Sequence, residues 1–227
     1  MLLCLFAMVD IWFLGQACFK VKGKNVSLVF DPYDPGFTGL PALKTDADIV
    51  CVSHQHQDHN NTSAVKATEE GVEPFVIAGP GEYEKVGVNI VGVDSFHDDS
   101  QGSERGKNTI YVATVDDVNI VHLGDLGQKT LAQEQVEILS SCDVLFIPVG
   151  GIYTIEAKDA PDLIAQLEPK IIVPMHYKLP GLKFDLADVS SFFTVMGKEK
   201  PEPLAKLSVS KDKLPEEPEI ILLGAQN

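Results

Sequence analysis

The order of apolar runs along the 227 residues predicts an α/β sandwich, two sheets packed face to face with helices outside. Three observations carry this expectation. Two blocks of short β-rich runs are separated by a stretch of helical composition. Runs such as "ADIVCVS" and "CDVLFIPVG" are apolar without alternation, as strands covered on both faces are. The later segments "TLAQEQVEILSS", "DAPDLIAQLE" and "DLADVSSFFTVMG" have helical composition, the first with apolar residues on one stripe.

In chain order, "VDIWFLG", "CFKVKG" and "NVSLVFDPY" are expected to form an antiparallel meander, with turns at Gly15, at 23–25 and at 32–36. "ADIVCVS" follows as a buried strand. "TSAVKATEE" is expected to be helical, capped by Thr62 or Ser63. "EPFVIAG", "VNIVGVDSF", "NTIYVATVDD" and "VNIVHLG" form the second β block. "DDVN" is its hairpin turn, and "GPGEYE", which lacks the Lys-Ser/Thr of a phosphate loop, is a turn. Leu131, Val136 and Leu139 lie on one helical stripe, with Thr130 as cap. Pro161 suits the first turn of the next helix, and Gly197 ends the last one. The whole chain, 1–227, is expected to be one domain, with 1–8 as an N-terminal extension that makes either Met1 or Met8 a candidate start.

The balance of 18 Lys+Arg against 33 Asp+Glu gives a net charge of -15, with a mean hydropathy of +0.06. Such a field repels phosphate backbones, which disfavours nucleic acid as partner without excluding it, and leaves room for a small anionic substrate. The apolar opening "MLLCLFAMVDIWFLG" is interrupted by Asp10, has no preceding basic residue and is short of the roughly 20 residues needed to span a bilayer. No membrane role and a cytoplasmic location are therefore the default. Cys4, Cys18, Cys51 and Cys142 are widely spaced and read as buried thiols rather than a disulfide framework. Assembly into a homo-oligomer is left open.

The stretch "SHQHQDHNN" places His54, His56, Asp58 and His59 within six positions, directly behind a buried strand. Residues two apart in an extended segment project to one side, so His54 and His56 can grip one ion, while Asp58 and His59 reach toward a second. Imidazole and carboxylate without thiolate suit zinc, with manganese and iron as rivals. His97 in "DSFHDD", Asp125 in "VHLGDLG" and His176 in "VPMHYK" each follow an apolar run, where loops gather at one sheet edge, and would complete the ligand set.

These motifs resemble the metallo-β-lactamase superfamily, whose H-x-H-x-D-H signature is met by His54, His56, Asp58 and His59. "FLGQACFKVKG", "GPGEYE", "HLGDLG", "IPVGG" and "PMHYK" are similar to the ascorbate-6-phosphate lactonase-like branch. The resemblance implies a four-layer αββα sandwich. It implies one metal on His54, His56 and His97, a second on Asp58, His59 and His176, and Asp125 as bridge. Gln16 stands where that branch commonly carries His. The absence of Cys at the Asp125 position argues against a dedicated β-lactamase.

Two divalent ions about 3.5–4 Å apart activate a shared water, with Asp58 holding the nucleophile and passing its proton on. The expected reaction is hydrolysis of a small lactone, ester, amide or phosphorylated metabolite. The alternatives are a nuclease or phosphodiesterase of the same fold, a non-catalytic metal scaffold and an iron redox protein. His56 disfavours the last, because redox members tend to carry Glu there. Arg105, Lys107 and Asn108 in the loop after His97, and Tyr177 and Lys178 after His176, are the candidate substrate contacts. Asp98 and Asp99 are candidate supports for ligand histidines.

Overall fold

A computed structural model describes residues 7–226. The strands are β1 (Val9–Gly15), β2 (Cys18–Lys22), β3 (Ser27–Phe30), β4 (Thr45–Asp46), β5 (Ile49–Cys51), β6 (Val65–Lys66), β7 (Phe75–Ile77), β8 (Gly81–Lys85), β9 (Val88–Phe96), β10 (Lys107–Val115), β11 (Val118–His122), β12 (Val144–Pro148), β13 (Ile171–Met175), β14 (Leu207–Val209) and β15 (Glu219–Ile220). The helices are α1 (Pro35–Thr38), α2 (Gln133–Leu139), α3 (Ala160–Leu167) and α4 (Ser190–Val195). One sheet has the order β14-β1-β2-β3-β5-β7, the other β15-β13-β12-β11-β10-β9-β8. Antiparallel pairing dominates the hairpins, whereas β3, β5 and β7, and likewise β11, β12 and β13, run parallel. This is the α/β sandwich expected from the apolar runs.

The alternation of side chains decides which residues meet between the sheets. In β5, Ile49 and Cys51 enter the main core and Val50 faces outward. Phe19 of β2 stacks on Phe146 of β12, with centroids 3.9 Å apart, and Phe30 of β3 stacks on His122 of β11 at 5.0 Å. His122 is wholly buried. Its Nε2–H donates to the Ala17 carbonyl (2.8 Å) and its Nδ1 accepts from the Gly124 N–H (3.1 Å), so it is a neutral ring joining the sheets. Outside the second sheet α2 and α3 contribute Leu139, Leu163 and Leu167 to the core. The layer outside the first sheet is thinner. Leu14, Val29, Tyr33 and Val50 are covered by Leu40, Leu43, Leu182 and Leu186, which lie in loops.

Three local expectations change. "TSAVKATEE" forms a single 3-10 turn at Thr62–Ala64 and then β6, not a helix. Val65 is buried and pairs in parallel with Thr45, so tertiary burial overrides the helical composition. "GPGEYE" turns only at its start, and 81–85 form edge strand β8 against β9. Helix α2 begins beyond Thr130: Leu131 is drawn into the core, and the Ala132 N–H is satisfied by the Gln135 side chain at 2.8 Å. The hairpin after β10 turns at Asp116 and Asp117, both left-handed, as a two-residue hairpin requires. Cys18, Cys51 and Cys142 are buried free thiols, and Cys4 lies outside the described residues. Among the described residues no helix is long and apolar enough to cross a membrane.

Candidate metal centre

Parallel strands deliver their following residues to one edge. Asp31 follows β3, His54 follows β5, His97 follows β9, Asp125 follows β11 and His176 follows β13. The structure brings these together with His56, Asp58 and His59 from the segment after β5. Ligand-type atoms of His54, His56 and His97 lie within 4.8 Å of one another, as do those of Asp58, His59, Asp125 and His176. Asp125 Oδ2 stands between the groups, 3.2 Å from His59 Nε2, 3.2 Å from His176 Nε2, 3.4 Å from His97 Nε2 and 3.9 Å from His54 Nε2.

The protonation of the two best-held rings follows from their partners. Buried Asp31 accepts from the Ser53 N–H (2.7 Å), the Ser53 hydroxyl (2.6 Å) and His59 Nδ1–H (2.9 Å). With its proton committed to Asp31, Ser53 Oγ accepts from His54 Nδ1–H at 2.9 Å. Nδ1 is therefore committed in both rings, and Nε2 is the nitrogen each can offer to a metal. His54 Nε2 lies 3.0 Å from His56 Nδ1, and His59 Nε2 lies 3.3 Å from Asp58 Oδ2 with no hydrogen-bond partner. Asp125 Oδ1, His97 Nδ1 and His176 Nδ1 are also buried without partners. Converging lone pairs and carboxylates repel unless a cation lies among them, so this donor set fits divalent metal.

Where no metal cation lies among them, the acids draw a proton to the centre instead. Burial disfavours a charge on His59, but Asp125, Asp58 and Asp31 outweigh it and hold the ring well above the ordinary histidine value, so a proton stands on Nε2 where a metal would displace it. Burial and the neighbouring His59 charge push His54 down to about 3. Burial raises Asp58, and the His59 charge more than reverses this, so its carboxyl stays ionised.

The surrounding chain is built around these atoms. Asp125 N–H donates to Asn108 Oδ1 (3.0 Å), and Asn108 Nδ2 donates to the Leu123 carbonyl (2.9 Å). Gly124 is left-handed, and a Cβ there would collide with Asn108 Oδ1 and lie 2.6 Å from Ser53 Cβ, so only glycine lets these strands close on Asp125. Gln16, also left-handed and fully buried, donates from Nε2 to Asp58 Oδ2 (2.9 Å), and its carbonyl accepts from the His176 N–H (2.8 Å). The amide is thus in contact with the acid and with the backbone of the candidate ligand His176.

A cavity of about 550 Å³ opens over the centre, lined by His56, Asp58, His97, Asp125 and His176 and by Arg105. Of the five candidate substrate contacts only Arg105 reaches it. Lys107 lies against Asp94 (2.9 Å) and lines a neighbouring cleft. Asn108 is enclosed and holds Asp125. Tyr177 is buried, its hydroxyl donating to the Leu223 carbonyl (3.4 Å). Lys178 Nζ donates to the carbonyls of Leu182 (3.2 Å) and Phe184 (2.7 Å). Asp98 does not support a ligand ring: it accepts from the N–H groups of Ser100, Gly102, Glu104 and Arg105 and shapes that loop. Asp99 pairs with Lys129 at the surface (3.1 Å). Asp31 and Ser53 were missed by sequence reasoning, although "VFDPY" places an acid directly after a strand and Ser53 adjoins His54. Phe37, Tyr153 and Phe184, which also line the cavity, carried no sequence signal.

A family profile described as a beta-lactamase superfamily domain matches residues 10–176, well over half of the chain. The chain belongs to the metallo-β-lactamase superfamily. It is similar to a metal-dependent hydrolase of Thermococcus onnurineus, 32% identical over 200 residues, covering 75% of this chain and 85% of that protein. A metal-dependent hydrolase of Thermoplasma volcanium is 30% identical over 230 residues, 86% and 99% of the two chains. In structure it resembles a candidate zinc-dependent hydrolase of the superfamily from Thermotoga maritima, with TM-score 0.74, 36% identity, and coverage of 95% of this chain and 98% of that one. As in these metallo-β-lactamase relatives, the activity is that of a metal-dependent hydrolase.

Proposed function

We propose that this chain is a dinuclear metallohydrolase of small lactones, esters, amides or phosphorylated metabolites, in the manner of the lactonase-like branch. One ion is assigned to His54, His56 and His97, the other to Asp58, His59 and His176, with Asp125 between them. The observation that carries this is Asp125 Oδ2 facing histidine nitrogens of both groups at 3.2–3.9 Å. Nitrogen and oxygen donors without thiolate favour zinc, with manganese second. Bound there, the pair of ions supplies Lewis acidity and lowers the pKa of water toward neutrality.

The protein's own groups divide the remaining work. Asp31 and Ser53 hold the His59 and His54 rings in the coordinating tautomer. Asp58 lines the cavity, and Gln16 occupies its Oδ2, which leaves Oδ1 to take the proton of the attacking water and return it to the leaving group. The acidic surface and a cavity of small-molecule size favour a metabolite over a polymer. Buried free thiols and the absence of a membrane-length helix among the described residues support a cytoplasmic setting.

The test is metal content by mass spectrometry with hydrolysis of a lactone and ester panel. We expect about two divalent ions per chain, lost together with turnover in His54→Ala/His56→Ala. A wild-type protein that takes up one ion or none from excess zinc or manganese would overturn the dinuclear assignment.

A further inference from the structure

The cavity has a second functional wall besides the metal ligands. Phe37, Phe184 and Tyr153 form a continuous aromatic row, with centroids 5.8 Å apart between the first two and 6.1 Å between the last two. Arg105 extends it, its guanidinium 5.8 Å from the Tyr153 centroid. The four residues come from four connections, those after β3 (where Phe37 lies in α1), β9, β12 and β13, so sequence proximity does not explain the row. Phe37 is 43% and Tyr153 37% exposed, contiguous with one another through Phe184 and open to the cavity. Lone exposed apolar residues are ordinary, but a linked row beside reactive groups is a binding surface.

The row is braced from behind. Lys183 Nζ donates to the Gly36 carbonyl (2.6 Å) and Lys183 N–H to the Thr38 carbonyl (2.9 Å), tying the Phe184 loop to the Phe37 helix. Gly39 is left-handed, and a Cβ there would sit 2.6 Å from the Gly181 carbonyl oxygen, so the two loops are in direct backbone contact. Lys178 holds the Phe184 carbonyl. Ile152, a β-branched residue at φ 62°, puts its carbonyl 3.4 Å from Arg105 Nη2. Asp98 fixes the Arg105 backbone at 2.7 Å, and Asp98 adjoins ligand His97. The charge is thereby set in place relative to the metal centre. Glu104, which also lines the cavity, pairs with Arg105 at 3.8 Å, and Lys107 is directed to Asp94, so Arg105 is the one cation among the described lining residues and a bound carboxylate competes with Glu104 for it.

We propose that the substrate is a small monoanionic ester or lactone bearing a ring-sized apolar group, with the ring on the Phe37–Phe184–Tyr153 wall and the charge paired with Arg105. This rests on the hydrolase reading above and narrows its substrate class.

The test is calorimetric affinity of the zinc-loaded protein for 3-phenylpropionate, propionate and 3-phenylpropanamide. Wild type is expected to prefer 3-phenylpropionate over both. Phe184→Ala weakens it about three- to tenfold while leaving propionate unchanged. Arg105→Ala weakens it about tenfold while leaving the amide unchanged. Phe37→Ala replaces Phe184→Ala if circular dichroism shows the latter unfolded. Affinity indifferent to these substitutions, with the carboxylate held by the zinc instead, overturns the proposal, as does equal binding of propionate and 3-phenylpropionate. Zinc content and ester turnover are read in parallel. Their loss with the affinity pattern intact sinks the hydrolase reading and not the wall; the reverse result sinks the wall alone.

Discussion

Asp31→Asn is the substitution that most sharply tests how the metal centre is supported. Asp31 Oδ2 accepts both the Ser53 hydroxyl and His59 Nδ1–H, and Oδ1 accepts the Ser53 N–H. An amide has one acceptor oxygen. Placed at Oδ2, it turns its NH2 on the Ser53 N–H; placed at Oδ1, it turns the NH2 on His59 and on the hydroxyl. Either orientation leaves a buried donor facing a donor, which costs about 1–3 kcal/mol of folding stability. In the second orientation His59 is driven to the tautomer with its proton on Nε2, which removes the lone pair from the metal. Loss of a supporting hydrogen bond of this kind lowers metal affinity about 10- to 100-fold. The assay is zinc competition against a chromophoric chelator, with urea unfolding of the chelated protein to separate stability from affinity. Zinc affinity of Asp31→Asn within about threefold of wild type, roughly 0.7 kcal/mol, would refute the tautomer argument even if the protein were destabilised.

Gln16→Ala removes the amide that holds Asp58 Oδ2 and is expected to lower kcat about tenfold or more with little change in KM; an equal rise in KM instead would assign Gln16 to substrate binding. Phe146→Ala removes the ring stacked on Phe19 at the centre of the sandwich and should destabilise by about 3–5 kcal/mol in urea unfolding. Burial raises the Asp48 carboxyl, but donation from Thr68 Oγ1 and from the N–H and hydroxyl of Ser27 more than offsets this and lowers it below 3.8. A group depressed on folding contributes stability that is present above its unfolded value and lost as pH falls through the folded one. Asp48→Asn should therefore flatten the stability profile below about pH 4, and an unchanged acid limb would show that Asp48 does not contribute to it.

Legibility in the sequence tracked how local each constraint is. Ile49, Val50 and Cys51 read as a doubly covered strand because burial on both faces leaves an unbroken apolar run, and Asp116 with Asp117 read as a turn because few residues tolerate two left-handed positions. The "TSAVKATEE" expectation failed because the placement of Val65 is decided by its partner Thr45, twenty residues earlier. Asn108 read as a candidate substrate contact because it ends a polar loop after His97, yet its amide is enclosed by Ser95, Leu123 and Asp125, contacts that exist only after β10 and β11 pair.

The seven candidate ligands were readable because metal chemistry demands particular side chains, and strands running to one edge place such residues just after apolar runs. Four of them carry the resemblance to the superfamily signature, and the profile match over 10–176 shows membership. Only the tertiary structure decided which ring nitrogen His54 and His59 present, since that depends on Ser53 and Asp31 arriving from two different strands. It alone assembled Phe37, Tyr153, Phe184 and Arg105 into one wall. Apolar and basic residues in such short connections carry no periodicity, and their meeting is set by how four connections close over the same sheet edge.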